Sequence, residues 1–451
     1  MSAHVGQNDW TSNMSMKWWR RVPVGAAAFA VSLVGVMVVG EALAIGGASA
    51  CQVTDITAGT GPQSSLQMVL DAAQNGDRIQ VQGHCVGNFV VTKSVFLIGE
   101  PSQAEPSPTL DGSLSGTVLT VHGAKGAAPV NVTILDLTIR NGQGSLNGGG
   151  IDSRRADLVL AGSTAVVSNE AQYGGGVFFT LGRLTLSDNA TIGNNKLYGV
   201  GGWGGGVYVR KGVLSASGSA VISGNSAVTG GGVATYQAAV RLHDQVKVID
   251  NHAANGGGGI FSYDAPVEMG GSSTVVGNDA GAHGGGVYLG GFRRGYVSLT
   301  VQGDATVHGN TSGQYGGGIE ASTHGVVTVQ GHAGVTENTA ATGGGIATAG
   351  RVRIRNGASI GDNQAVDGGG VYVLRGRTKM AGDAIILLNN ATTGGGVYVA
   401  AGALQLADGG SITLNRATAD GGGLFSIGSV VFANTWAGTV CGNDPDDWPG
   451  C

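Results

Sequence analysis

The sequence predicts an all-β chain, a parallel β-helix whose short strands stack coil upon coil, and three periodic observations carry that prediction. A glycine triplet followed by an aliphatic residue occurs eleven times, ending at Ile151, Val177, Val207, Val233, Ile260, Val287, Ile319, Ile346, Val371, Val397 and Leu424. The intervals are 26, 30, 26, 27, 27, 32, 27, 25, 26 and 27 residues. An asparagine travels with the triplet at Asn169, Asn195, Asn225, Asn251, Asn278, Asn310, Asn338, Asn363, Asn389 and Asn415, and in all ten the residue three before is Val or Ile. Eleven and nine positions before each asparagine lie pairs such as Leu158/Leu160, Leu184/Leu186 and Leu404/Leu406, which is the strand period of two. One such unit cannot bury its inner face alone, whereas stacked copies share a continuous core.

Composition removes the rival explanations of the glycine. The 451 residues include 86 glycines, where average usage of about 7% would give roughly 32. Only nine prolines, no Gly-X-Y period and 42% hydrophobic residues exclude collagen and disorder. With 24 basic against 29 acidic residues the net charge is -5, and no basic footprint for nucleic acid is present.

Residues 1–50 read as an export segment. Lys17, Arg20 and Arg21 precede an apolar run over 22–39, and Ala48, Ser49 and Ala50 stand directly before Cys51. That order is the one of a cleaved signal peptide. An uncleaved anchor helix, a lipoprotein signal and a twin-arginine route are its rivals, and membrane contact is expected only through this segment if it stays attached. Residues 51–140 are expected to form an N-terminal cap with irregular coils. A helix is predicted within 62–75, followed by strands near 78–81, 88–91, 95–98, 118–121 and 132–139. Regular coils are expected over 141–434, about eleven of them, and 435–451 form a C-terminal cap in which Trp436 and Trp448 cover the last coil. Within each regular coil, one strand follows the glycines, a second carries the paired aliphatics, and a third runs from alanine to the aliphatic before the asparagine, as in Ala190 and Ile192. The glycines are read as turn formers that let neighbouring coils approach, and the asparagines as a column sharing amide hydrogen bonds. Four cysteines fall in two pairs at the ends of the exported part, predicting disulfides Cys51–Cys85 and Cys441–Cys451.

The paired markers resemble the repeats of chlamydial polymorphic outer membrane proteins, with Gly-Gly-Gly-aliphatic here in place of Gly-Gly-Ala-aliphatic and Val/Ile-x-x-Asn in place of Phe-x-x-Asn. The likeness covers about 141–434, and the N-terminal part is similar to the caps of pectate-lyase-like β-helices. The resemblance implies a right-handed helix, secretion or cell-surface exposure, and adhesion. The pectate-lyase-like fold also implies an alternative: a lyase, hydrolase or epimerase acting on acidic glycans.

Residues at one offset on successive coils are neighbours in space, so columns reveal candidate sites. Asp304 and His332 share the offset six before the asparagine and are the weak catalytic candidates; no second carboxylate joins them. No Ca²⁺ nonapeptide and no CxxC pattern is present, and no metal or cofactor is expected. Immediately after the motif aliphatic stand Phe178, Tyr208, Phe261, Tyr288, Tyr372, Tyr398 and Phe425. Strand alternation points them outward, either as a stacked ladder that stabilises the sheet or as a platform for sugar rings or a partner protein. Arg351, Arg353, Arg377 and Lys379 form a square on another outer face, read as solubilising charge or as a seat for carboxylated or phosphorylated glycan. The function expected is an exported adhesin or surface-structural protein that binds a surface glycan or protein ligand through its outer faces.

Overall fold

A computed structural model describes residues 49–103, 106–199, 201–292 and 297–445, all within one compact unit, Gly46–Cys451. Residues 1–48, which hold most of the expected export segment, and Trp448 and Cys451, and with Cys451 the expected Cys441–Cys451 pair, lie outside the described residues. The unit is a parallel β-solenoid of about 14 turns. Its coils contribute to three long sheets of 13, 15 and 14 strands, named here sheet I (the strand after the glycines), sheet II (the paired aliphatics) and sheet III (the strand before the asparagine).

Each predicted column is a register column. In sheet I Ile151 pairs with Val177, Val177 with Val207, and so on to Leu424 opposite Val397, always parallel. Two earlier coils extend the sheet through Leu119 and Phe89. In one representative coil the inward positions are Val177, Phe179, Leu184, Leu186, Ala190 and Ile192, all completely shielded from solvent. At roughly 1.5–3 kcal/mol for each large aliphatic side chain buried, repetition of this set is what holds the stack together.

The glycines divide their labour. The first of each triplet has a left-handed φ, for instance +61° at Gly174. The second and third have ordinary φ but no room: a Cβ on Gly175 would lie 2.4 Å from the Lys196 carbonyl oxygen and 2.6 Å from that of Gly205. The asparagines form an unbroken ladder. The backbone N–H and the Nδ2 of Asn169 both donate to Oδ1 of Asn195, at 2.9 and 3.0 Å. Each Nδ2 from Asn195 onward also donates to the carbonyl of the aliphatic residue in the coil before, as Asn195 does to Val166 at 2.9 Å. The ladder continues one rung beyond the sequence reading, from Asn415 to Asn443, because Val440–Cys441 pairs in parallel with Ile412 and Thr413.

The N-terminal region departs from the expected pattern in three places. The helix, α1, is shorter, Leu66–Ala72, because Ser65 caps it and Gln63 is held in a bridge to Val53. The run over 132–139 is two strands, Val130–Leu135 and Thr138–Arg140, broken where Asp136 takes φ +55°. A first strand, Gln52–Asp55, runs antiparallel to Asp77–Gln82 and covers the edge of sheet II. Leu66, Val69 and Leu70 of α1 plug the core, and the Gln67 amide closes the edge of sheet I by accepting from the Val90 N–H at 2.8 Å and donating to its carbonyl at 3.2 Å. Cys51 and Cys85 form a disulfide, compatible with an extracytoplasmic location. At the other end Trp436 packs against Phe432, ring centres 4.7 Å apart with planes inclined by 53°, and against the core.

Candidate functional site

The seven aromatics after the motif aliphatic do share one outward column of sheet I, in line with Thr120, Asp152, Ala234, Glu320 and Ala347. Phe261 and Tyr288 lie 5.4 Å apart, Tyr372 and Tyr398 5.1 Å, Tyr398 and Phe425 5.0 Å. Phe178, Tyr208 and Phe261, however, are only 6–7% exposed. They lie under a second layer that the sequence reading did not single out. Tyr173 and Trp203 stand one residue before their glycine triplets, and Tyr236 and Tyr263 end their strands; all four fold over the column and remain half-buried.

This second layer shapes an open cleft of about 650 Å³. Trp203 meets Tyr208 edge-on at 5.8 Å, Tyr236 and Tyr263 stack at 5.5 Å with planes 12° apart, and Tyr208 lines the floor. Two cations stand at the rim. Arg154 lies 5.7 Å over the Phe178 ring and grips Asp152 with two hydrogen bonds of 3.0 and 2.7 Å. Arg210 lies 6.0 Å over Tyr236. Burial raises the Asp152 carboxyl above its usual range, with Arg154 opposing, and burial pushes the Tyr208 phenol up to about 12. Tyr208 therefore stays a neutral hydroxyl in an apolar floor. The cleft offers flat aromatic faces together with guanidinium donors, and its size is that of a small-ligand pocket.

Further along sheet I the column carries Glu320, and the position before the triplet carries His283. They are 37 residues apart in sequence, yet His283 Nδ1 lies 2.9 Å from Glu320 Oε2. The imidazole is sandwiched between Tyr288 and Tyr315 at 5.3 and 5.8 Å. Burial holds Glu320 above the ordinary carboxylate range although His283 opposes it, and the hydrogen bond to Glu320 raises the imidazole. The two residues sit at different offsets, so a search down single columns passes over them. The visible signal was Glu320, one of only two carboxylates, with Asp152, in a mainly apolar and aromatic column.

The catalytic candidates Asp304 and His332 approach to 3.4 Å, and their side chains are 71% and 86% exposed. Arg351 and Arg353 pair in register with Arg377 and Lys379 on sheet II, all four exposed. Among the described residues no group of three or more His, Cys, Asp or Glu side chains gathers as a metal site, and no helix is long and apolar enough to cross a membrane. Comparison with protein-family models, curated proteins and solved structures gives no match for the chain.

Proposed function

We propose that this chain is an exported β-helix protein of the cell surface or extracellular space that binds glycan through the outer face of sheet I. The observation that carries the reading is the cleft at Trp203: half-buried aromatic rings present flat apolar faces, and Arg154 and Arg210 stand ready to hydrogen-bond ring hydroxyls. The Cys51–Cys85 disulfide supports an oxidising destination. The likeness of the repeat to polymorphic outer membrane proteins supports an adhesive role, with a surface protein as the other ligand class. A glycan array tests it. Wild type is expected to retain a subset of glycans that Trp203→Ala/Tyr236→Ala loses; equal retention by both would remove the cleft from the reading.

A second reading, a lyase, hydrolase or epimerase of acidic glycans, is favoured by the half-buried His283–Glu320 pair. Its sign would be unsaturated or reducing ends released from polygalacturonate or alginate by wild type but not by Glu320→Gln.

A further inference from the structure

Among the coils that carry the glycine motif, the turn from sheet I to sheet II is at its shortest in two, the last one and the one that begins at Ile346, and only the latter has a longer turn on each side. Arg377 follows Val371 by six positions and Val326 follows Ile319 by seven, but Arg351 follows Ile346 by only five. The short turn, Ala349 and Gly350, lies between two longer ones and lines an open groove of about 810 Å³. Arg351, Arg353, Arg375, Arg377 and Lys379 all line this groove and are all exposed. Among its described lining residues there is no Asp or Glu. The flanking rungs of the same columns supply Val326, Thr328, Ala403 and Gln405 instead of counter-charges. Exposed cations on a protein surface ordinarily alternate with acids; five in two successive coils without one form a local field that attracts anions.

The density of charge identifies the anion. Two coils, each rising about 4.8 Å, carry five cations, more than two per coil. The coil rise is close to the repeat of one sugar unit in an extended polysaccharide. A uronate polymer supplies a single carboxylate per sugar and so leaves more than half of these cations unmatched. A chain with more than one sulfate ester per sugar matches them, and the guanidinium fork suits the oxygens of a tetrahedral anion two at a time. We propose that this groove binds one chain of a densely sulfated polysaccharide, running along the coil axis across Arg351/Arg377 and Arg353/Lys379. Beyond these five cations the chain keeps 19 basic residues against 29 acidic ones, which repel duplex DNA. This site is separate from the aromatic cleft and does not depend on it.

Calorimetric titration of the full chain with dextran sulfate, polygalacturonate, uncharged dextran and a short DNA duplex tests the proposal. Dextran sulfate is expected to bind, more weakly as salt is added, with polygalacturonate weaker by roughly tenfold or more and dextran silent. Arg351→Gln/Arg353→Gln/Arg377→Gln/Lys379→Gln is expected to lose at least roughly tenfold of the dextran sulfate affinity with an unchanged thermal melt, and Arg353→Gln alone to lose part of it. Arg183→Gln/Lys211→Gln/Lys247→Gln, exposed cations of other coils, is expected to retain it. Polygalacturonate or DNA bound as tightly as dextran sulfate, or a quadruple variant of unchanged affinity, overturns the proposal.

Discussion

Asn310 shows how much one side chain carries when it belongs to a ladder. Its Oδ1 accepts from both the backbone N–H and the Nδ2 of Asn278, and its Nδ2 donates to Asn338 and to the Val275 carbonyl. Asn310 is completely buried. Truncation to alanine leaves donors on Asn278 and an acceptor on Val275 facing each other across a space without water, and the loss of the hydrogen bonds adds to that penalty. Asn310→Ala is expected to lower unfolding free energy by about 3 kcal/mol, the upper range for groups left unsatisfied in the interior. Chemical denaturation measures it, and a loss below about 1 kcal/mol, the size of an average substitution, would contradict the role given to the ladder. The second and third glycines of each triplet act at the same scale by another route. There the usual gain from replacing glycine with alanine is overridden by carbonyl oxygens of the next coil standing where the methyl would go.

At the scale of the element, sheet I carries on its outside what sheets II and III do not: runs of neighbouring rings interrupted by small and ionisable side chains, His283 and Glu320 among the latter. His283 and Glu320 both hold their protons more tightly in the folded state than in the unfolded chain, the imidazole through its hydrogen bond and the carboxyl through burial. Groups raised in this way give stability that is full below their unfolded values and is lost as pH rises through the folded ones. The window opens near an ordinary glutamate, about pH 4.3, and extends above an ordinary histidine, about pH 6.5. The melting temperature of wild type is therefore expected to fall between about pH 5 and pH 8.5 more steeply than that of His283→Gln/Glu320→Gln; parallel profiles would show that the pair contributes nothing. Sheet I also shows where sequence reading stops. Columns of one residue type were legible: the glycines, the asparagines, the aliphatic pairs and the seven rings that follow a motif aliphatic fall where the periods place them. The layer above them was not, because the position before the triplet holds Asn147, Tyr173, Trp203, Thr229, Gly256, His283, Tyr315, Thr342, Asp367, Thr393 and Asp420 in turn, and no identity recurs on successive coils. Asn443 escaped for a similar reason, since no glycine triplet follows it. The antiparallel strand Gln52–Asp55 has no period at all; its partner is chosen by the edge it covers.

For the whole solenoid, stability is close to a sum over coils and their interfaces, so its length can change only by complete turns. Asn390 pairs with Arg416 and Ala391 with Ala417. Deleting 390–415 joins Asn389 to Arg416 and brings every column back into register one rung shorter. That variant is expected to keep a β-sheet circular dichroism spectrum and a cooperative melt within a few degrees of wild type. Deleting 390–402 shifts inward residues out of their columns and is expected to give insoluble or unfolded protein. Equal outcomes for the two deletions would contradict the register argument.

A stack of identical rungs has no internal reason to stop, and two molecules meeting end to end would extend each other's sheets as readily as one molecule builds its own. The strand Gln52–Asp55 prevents this at the N-terminal end. It turns the outer edge of sheet II against the direction of every other rung, while the Gln67 amide occupies the Val90 hydrogen-bonding groups that a newcomer would need. The residues that open the described chain thus serve as a terminator for assembly: they cap the edge along which a fold with the geometry of a fibril would otherwise grow.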